Sequence, residues 1–337
     1  MGTYNLNILY TADRNYIPFT GVSMFSLLKN NAEAKRIRIY AVLDNVDNEN
    51  KSKLKMVATE FNRELIIIDA EKLNQKLDIL GIPKYRGTHS ANYRLFFELF
   101  VDSDVDMLLY IDSDTIICDS LKSIAVLDFS NFCAGMVLDE LGNKYKHLIG
   151  FSQSDYYFNS GFIAINVPQW KKNNCTELIE KHIKTSRAKY CNPDQDLLNI
   201  VLKNKIKLLP PEYNFQPFHR VYSDKSFNAV YGFKNYYNQI EIENARKCPI
   251  VLHTYRFLGE FPWHKDNMHP DNNIFDEYIS KTSWANYIKK KTLNNSFLFK
   301  LESVLYKILP NIIFLALFSI LQEKSFKKQN KKLAKSK

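Results

Sequence analysis

A chain of 337 residues, 45% hydrophobic and 14% aromatic, holds enough apolar material for one large domain or two modest ones and excludes a disordered polymer. Its five cysteines, Cys118, Cys133, Cys175, Cys191 and Cys248, are odd in number, widely spaced and without a C-x-x-C pair, which argues against a disulfide framework or a cysteine zinc site. The net charge of +10 is uneven, with lysines and no acidic residue from Lys324 onward, so the excess points to an anionic surface at one end rather than to a basic nucleic-acid-binding core.

No basic stretch followed by an apolar run opens the chain, so no secretory signal is read and a reducing cytoplasm is expected. Residues 6–10 read as a first strand running into Thr11-Ala12-Asp13-Arg14-Asn15-Tyr16, followed by a helix at about 18–29, where proline suits the first turn. Strand, helix and strand recur at 36–43, 48–61 and 64–68. Such alternation implies right-handed βαβ crossovers and a parallel sheet, with the loop after the first strand at the ligand-binding edge. There Asp13 and Asn15 suit a base or ribose, or equally a helix cap or turn. Residues 70–90 are polar, contain Gly81, Pro83 and Gly87, and read as a loop or flap. Over 91–101 the pattern turns helical, with Leu95, Phe96, Leu99 and Phe100 on one face. Arg94 and Glu98 are four apart, so Arg94 is either half of a surface pair or a phosphate or carboxylate clamp.

The apolar run 107–111 reads as a buried strand, and it ends in Asp112-Ser113-Asp114 before Ile116-Ile117. Two carboxylates at a strand's C-terminal edge suit a divalent ion shared with substrate phosphates; a turn or helix-cap role is the alternative. The same spacing recurs at Asp102/Asp104, Asp104/Asp106 and Asp194/Asp196, which need another explanation. A further strand at 132–138 ends in Asp139, and Tyr156-Tyr157-Phe158-Asn159-Ser160-Gly161 leads into another over 162–166. Trp170 and 179–183 look helical. Asn192-Pro193-Asp194-Gln195-Asp196 opens a helix whose dipole alone accounts for acidic residues there. A strand over 249–252 delivers His253, upstream of Pro262-Trp263-His264. A lone histidine at a strand end is commonly structural, yet two carboxylates and an imidazole make a sensible manganese-type site.

The order of these pieces resembles the family 8 glycosyltransferases, retaining enzymes that use nucleotide-sugar donors and include bacterial lipopolysaccharide galactosyl- and glucosyltransferases. The likeness covers roughly 5–265 and rests on the 10–16 motif, Tyr93-Arg94-Leu95, Leu109-Tyr110-Ile111-Asp112-Ser113-Asp114, Tyr157-Phe158-Asn159-Ser160-Gly161, Asp194-Gln195-Asp196, and His253 followed by Pro262-Trp263-His264. It implies an α/β fold of GT-A type, a Rossmann-like nucleotide-sugar-binding unit with a mixed central sheet. By the same resemblance Asp112, Asp114 and His253 would hold manganese or magnesium, and Thr11, Ala12, Asp13 and Asn15 the uridine. Arg94 and Ser113 would fix the donor, while Asp139, Asn159, Asp194 and Gln195 would face the transferred sugar. The donor would be UDP-galactose or UDP-glucose, and the acceptor a glycan or glycolipid of the cell surface. One departure stands out: Phe261 occupies the position where the family carries a lysine before Pro-Trp, leaving Arg256, His264 or Lys265 to contact the diphosphate. Among rival readings, a metal-dependent nucleotidyltransferase or nucleotide-sugar hydrolase calls for a Gly-rich phosphate loop that the sequence lacks. A non-enzymatic basic membrane- or nucleic-acid-binding protein calls for lysines spread through the core.

Residues 1–270 are thus read as the catalytic domain and 271–337 as a helical, amphipathic and basic region. Its apolar run, 312–321, is half of what a spanning helix needs and is interrupted upstream by Pro310-Asn311. Apolar insertion plus lysine attraction fits an interfacial helix on the inner face of the cell membrane. The alternative is a helix packed on the domain with a solubilising tail.

Overall fold

The computed structural model describes residues 4–82, 84–85, 87–186, 190–233, 236–292 and 296–335. Pro83 of the expected loop and Lys337 of the tail lie outside the described residues. Strand β1 (Asn5–Asp13), helix α1 (Ile17–Asn30), strand β2 (Arg36–Asp44), helix α2 (Asn48–Glu60) and strand β3 (Glu64–Asp69) alternate as expected. β1 pairs with β2, and β2 with β3, all parallel. Buried apolar strands joined by helices can pair only through crossovers, which gives this arrangement.

Two expectations need correction. Within the expected loop, Glu71–Leu80 forms helix α3: Leu73 and Leu77, one turn apart, bury a shared face, and Gly81 ends the helix at φ 71°. Only a residue tolerant of the left-handed region stops a helix that cheaply, so the glycine that suggested a loop is the cap of a helix. The segment Ser90–Leu99 is a 3-10 helix broken at Phe96 rather than a regular α-helix. Tyr93, Arg94, Leu95, Phe96 and Phe97 are all buried, while Leu99 is exposed.

Strand β4 (Met107–Ile111) pairs with β1 in parallel, Leu9 opposite Tyr110. The short β5 (Thr115–Ile117) leaves the sheet, and α4 (Lys122–Ala125) leads to β6 (Ala134–Leu138). Strand β7 (Phe158–Asn166) then inserts antiparallel between β4 and β6. Helices α5 (Val167–Lys172), α6 (Cys175–Ser186) and α7 (Pro193–Val201) precede β8 (Ile206–Leu208), which is parallel to β6. Among the described residues the main sheet therefore has seven strands in the order β3-β2-β1-β4-β7-β6-β8. The reversal at β7 makes it mixed, whereas alternation alone suggested a parallel sheet.

Helices α8 (Pro217–Val221), α9 (Asp224–Val230) and α10 (Gln239–Lys247) lead to β9 (Val251–His253), which pairs antiparallel with β5 so that His253 lies opposite Thr115. Helix α11 (Asn272–Ile279) and Trp284 cover α1. A Cβ on Gly21 would stand 2.1 Å from the Trp284 ring, so this close approach requires glycine. Phe275, Tyr278, Ile279 and Trp284 belong to the main core with the sheet. A second cluster, Phe218, Tyr222, Phe227, Tyr231, Phe257 and Leu258, closes on Phe314 and Leu315.

Those last two residues come from α13 (Asn311–Lys335), which follows α12 (Phe297–Ile308) after the break at Pro310. Burial of each such side chain contributes about 1.5–3 kcal/mol, enough to hold α13 on the domain. Its other face leaves Ile313, Leu317, Ile320 and Leu321 exposed, and the same stripe continues as Lys324, Lys328 and Lys331. No described helix is long and apolar enough to cross a membrane.

Candidate functional site

The ends of β1, β4 and β6 and the start of β7 lie at one edge of the sheet, where their backbones can no longer pair and their side chains surround a cavity of about 400 Å3. The residues expected for the metal, the uridine, the donor and the transferred sugar all line it: Thr11, Ala12, Asp13 and Asn15 after β1; Asp112, Ser113 and Asp114 after β4; Asp139 after β6; Asn159 on β7; Asp194 and Gln195 on α7; and Arg94 and His253. The repeated carboxylate spacings separate cleanly. Asp102 and Asp104 pair with the buried Arg38, at 3.0 and 2.8 Å. Asp196 is buried and accepts hydrogen bonds from Tyr145 and Tyr157, and burial still pushes its pKa up to about 7.

One oxygen of Asp112 is already committed. Arg94 Nη2 donates to Oδ1 at 2.8 Å, and the Tyr110 hydroxyl donates to the same oxygen. Arg94 is itself fixed over the Tyr110 ring, 3.8 Å from its centroid, and by Nη1 to the Ser160 carbonyl at 2.6 Å. Arg94 is therefore a carboxylate clamp, and the Arg94–Glu98 pair does not form: Glu98 accepts from Thr176 instead. Asp112 Oδ2 faces His253 Nε2 at 3.6 Å, and Asp114 Oδ1 faces the same nitrogen at 3.4 Å. Potential ligand atoms of these three residues all lie within 4.8 Å of one another.

A chain of amides decides which histidine nitrogen is free. The Gly161 backbone N–H donates to Asn159 Oδ1 at 2.9 Å, which identifies that atom as the oxygen. Asn214 Nδ2 donates to it at 2.8 Å, so Asn214 Oδ1 must accept from His253 Nδ1–H at 2.9 Å. The Nε2 lone pair is thereby aimed at the two carboxylates, the arrangement of a histidine ligand oriented from behind by a hydrogen bond. Burial opposes a charge on His253, but Asp114 and Asp112 outweigh it and raise its pKa. Burial likewise raises Asp112, against the pull of Arg94. This donor set of two hard oxygens and one imidazole, with its tautomer fixed, fits manganese or magnesium. The fit also depends on Gly161: a Cβ there would stand 2.1 Å from His253 Cε1.

Farther along the edge, Asn159 Nδ2 and Gln195 Nε2 both donate to Asp139 Oδ2, at 3.0 and 3.2 Å. Gln195 Oε1 accepts the Ser160 backbone N–H at 3.1 Å, and Asp194 Oδ2 accepts from Ser160 Oγ at 2.9 Å. Burial raises the Asp139 pKa in spite of its amide donors. At the β1 end, Asp13 Oδ1 accepts from Asn15 N at 2.7 Å, so Asp13 shapes the turn as well as lining the cavity. Ser113 Oγ accepts from Thr20 and donates to the Thr11 carbonyl. Of the three cationic candidates near Pro262-Trp263, Arg256 lines the cavity while His264 and Lys265 lie outside it. Phe261, at the position of the family lysine, stacks on Trp263 at 4.4 Å, and Trp263 stacks on Phe19 at 3.8 Å.

Sequence reasoning missed Asn214, Ser160, Tyr110 and the contributions of α13. Tyr110 was within reach, since a residue two before Asp112 on a strand faces the same side. Asn214 carried no local signal: it ends a Pro211–Asn214 turn and reaches the site because Phe215 pairs with β9 at Leu252.

Comparison with known proteins bears on the family and the fold. The family described as glycosyl transferase family 8 matches residues 7–267. A lipopolysaccharide 1,2-glucosyltransferase of Escherichia coli is 27% identical over 299 residues, 85% of this chain and 81% of the relative. A lipopolysaccharide 1,3-galactosyltransferase of Salmonella typhimurium is 26% identical over 292 residues, 83% of this chain and 79% of the relative. Among solved structures, galactosyltransferase LgtC in complex with donor and acceptor sugar analogs superposes with a TM-score of 0.68 at 21% identity, over 82% of this chain and 96% of that one. The fold is thus of GT-A type.

Proposed function

Since the chain belongs to glycosyl transferase family 8, we propose that it moves a hexose from UDP-galactose or UDP-glucose, with retention of configuration, to a hydroxyl of a cell-surface glycan or glycolipid. The observation that carries this reading is the aiming of His253 Nε2, through Asn214, at Asp112 and Asp114 in the cavity that also holds Gln195. Asp112, Asp114 and His253 would hold manganese or magnesium, which when bound neutralises charge on the leaving diphosphate. Arg256 would meet that diphosphate, and Thr11, Ala12, Asp13 and Asn15 the uridine; that all five line the cavity supports this. Arg94 and Ser113 hold the donor end in shape, and Asp139, Asn159, Asp194 and Gln195 face the transferred sugar.

Retention is compatible with attack from the donor's own face or with two displacements through a protein nucleophile. Gln195 Oε1 already accepts the Ser160 N–H, and an amide is a poor nucleophile. This supports front-face attack, with Gln195 and the neighbouring carboxylates steadying positive charge on the sugar. The nucleotidyltransferase and hydrolase readings gain nothing from the relatives, which are glycosyltransferases. We further propose that 1–270 carries the catalytic residues, with α11 and Trp284 completing the core of that unit, and that the exposed stripe of α13, apolar and then basic, lies on the anionic inner face of the membrane, where a glycolipid acceptor is presented.

The test is UDP release from a panel of nucleotide sugars by the full chain, with manganese and with chelator. Manganese-dependent release from one UDP-sugar, lowered by about 100-fold or more in Asp114→Ala, is the expected result, since misplacing a positioned group costs on the order of 100-fold. Turnover insensitive to both chelator and Asp114→Ala would remove the metal from the reading.

A further inference from the structure

The family match ends at residue 267, yet the cavity does not end with it: Gln322 and Phe326, both on α13, line its outer side. Their place follows from strand order. Along the edge, β1 carries the proposed nucleotide residues, β4 the two proposed metal carboxylates, and β7 and β6 the proposed sugar-facing Asn159 and Asp139. Among the lining that these assignments leave over is one wall that can meet the second substrate. It is built from Tyr145 and Tyr157 together with α13. Gln195 Nε2 donates to the Tyr157 hydroxyl at 2.9 Å; the Tyr157 ring meets Tyr145 edge-on at 5.6 Å; and Tyr145 meets Phe326 at 4.7 Å. A continuous line of aromatic rings thus runs from Gln195 to α13.

We propose that Phe326 and Gln322 form an acceptor subsite that takes a hexose ring. A sugar ring has an apolar C–H face, which suits the Phe326 ring, and a rim of hydroxyls, which suits an amide. Gln322 lines the cavity, and the Tyr231 hydroxyl donates to its Oε1 at 3.2 Å, which engages the carbonyl end of the amide and leaves the NH2 end as the donor for a sugar hydroxyl. One turn farther on, the Cys191 thiol donates to Asn330 Oδ1 at 2.7 Å and ties α13 to the loop before α7. The helix that walls this subsite presents its opposite stripe, Ile313, Leu317 and Ile320, to the surroundings. An acceptor carried on a lipid would reach the subsite along the same helix.

The inference rests on the proposed transferase reading, and the test separates the two. Full-length wild type, Phe326→Ala, Gln322→Ala and Phe326→Tyr are assayed with UDP-galactose and UDP-glucose plus manganese, using octyl β-glucoside, octyl β-galactoside and octyl β-lactoside as acceptor probes. In wild type at least one probe accelerates donor consumption saturably. Phe326→Ala raises that acceptor's KM about tenfold and moves the donor KM less than twofold; Gln322→Ala gives a smaller rise, and Phe326→Tyr, which keeps the ring, stays within about threefold of wild type. An acceptor KM unchanged in Phe326→Ala, or acceptor and donor KM rising together, would overturn the subsite, the latter because it marks a helix that only supports the fold. Donor turnover by wild type that no probe accelerates would overturn it too. Failure of the underlying reading looks different: wild type then releases no UDP from either donor.

Discussion

His253 and Phe326 line one cavity but are held there in unlike ways. His253 sits on a strand paired into the core, with Asn214, Asn159 and Gly161 behind it and two carboxylates in front. Phe326 sits on a helix whose docking relies on Phe314, Leu315 and Phe318 about two or three turns away, plus a few polar ties. The strand-end site is held by directional bonds on several sides; the helical wall is held mainly by non-directional apolar burial, with only a few polar ties, and gives way more easily. A sensible division of labour follows: the rigid edge suits bond-breaking geometry, and the adaptable wall suits an acceptor whose shape varies.

The most severe way to break the rigid side is Gly161→Ala. The added methyl would lie 2.1 Å from His253 Cε1, and His253 is buried against Asn214 with no direction of escape that keeps its hydrogen bond. Manganese-dependent UDP release is expected to fall about 100-fold or more, as for any displacement of about 1 Å at a positioned group. A melting temperature close to that of wild type would show that the site, not the fold, has been lost. Activity within threefold of wild type would mean that His253 does not need its present position.

Asn214→Ala is gentler, because it removes the bond that fixes the His253 tautomer but leaves the ring in place. The expected loss is about 10- to 100-fold in manganese affinity, the usual effect of removing a group that orients a ligand from behind. Titrating manganese into the UDP-release assay reads it directly. An unchanged half-saturating concentration would mean that the amide chain is structural only.

How much of this could be read from the sequence depends on the kind of signal. Asp112 and Asp114 were legible because a buried strand before them fixes where they point, and the same logic found β1 and Asp139. Residues 70–90 misled because Gly81 and Pro83 are loop signals by composition, although Leu73 and Leu77 carry the helical spacing that decides the matter. Asp194 looked like an ordinary helix-start acid from its own neighbourhood; only the family likeness pointed it toward the sugar, and the structure then placed it beside Ser160 and Arg94. Asn214 and Phe326 were out of reach for a common reason. Each arrives at the cavity through a tertiary contact, β9 with Phe215 in one case and α13 with the second aromatic cluster in the other, and no local pattern encodes such a contact. The C-terminal region is expected from its sequence to be helical, amphipathic and basic, but nothing in its pattern says that a second stripe of the helix lines the cavity.

That second stripe also gives the mildest test of the comparison. Removing everything after residue 296 would release the protein from membranes if α12 and α13 bind there, but it would also strip Phe326 and Gln322 from the cavity, so loss of activity would have two causes. A point change on the outer stripe separates them. Lys328 is exposed and follows Leu317, Ile320 and Lys324 along the face turned away from the aromatic cluster. A lysine near an anionic lipid surface contributes about 1 kcal/mol, so Lys328→Gln is expected to weaken binding to phosphatidylglycerol-containing vesicles about fivefold. The difference should shrink as salt is raised, because the attraction is screened within about 10 Å at 0.1 M. Transfer to a soluble octyl glycoside should stay as in wild type, since the inner stripe is untouched. Equal vesicle binding by the two proteins at low salt would leave the outer face without a lipid role, and would turn its exposed isoleucines and leucines toward some other partner.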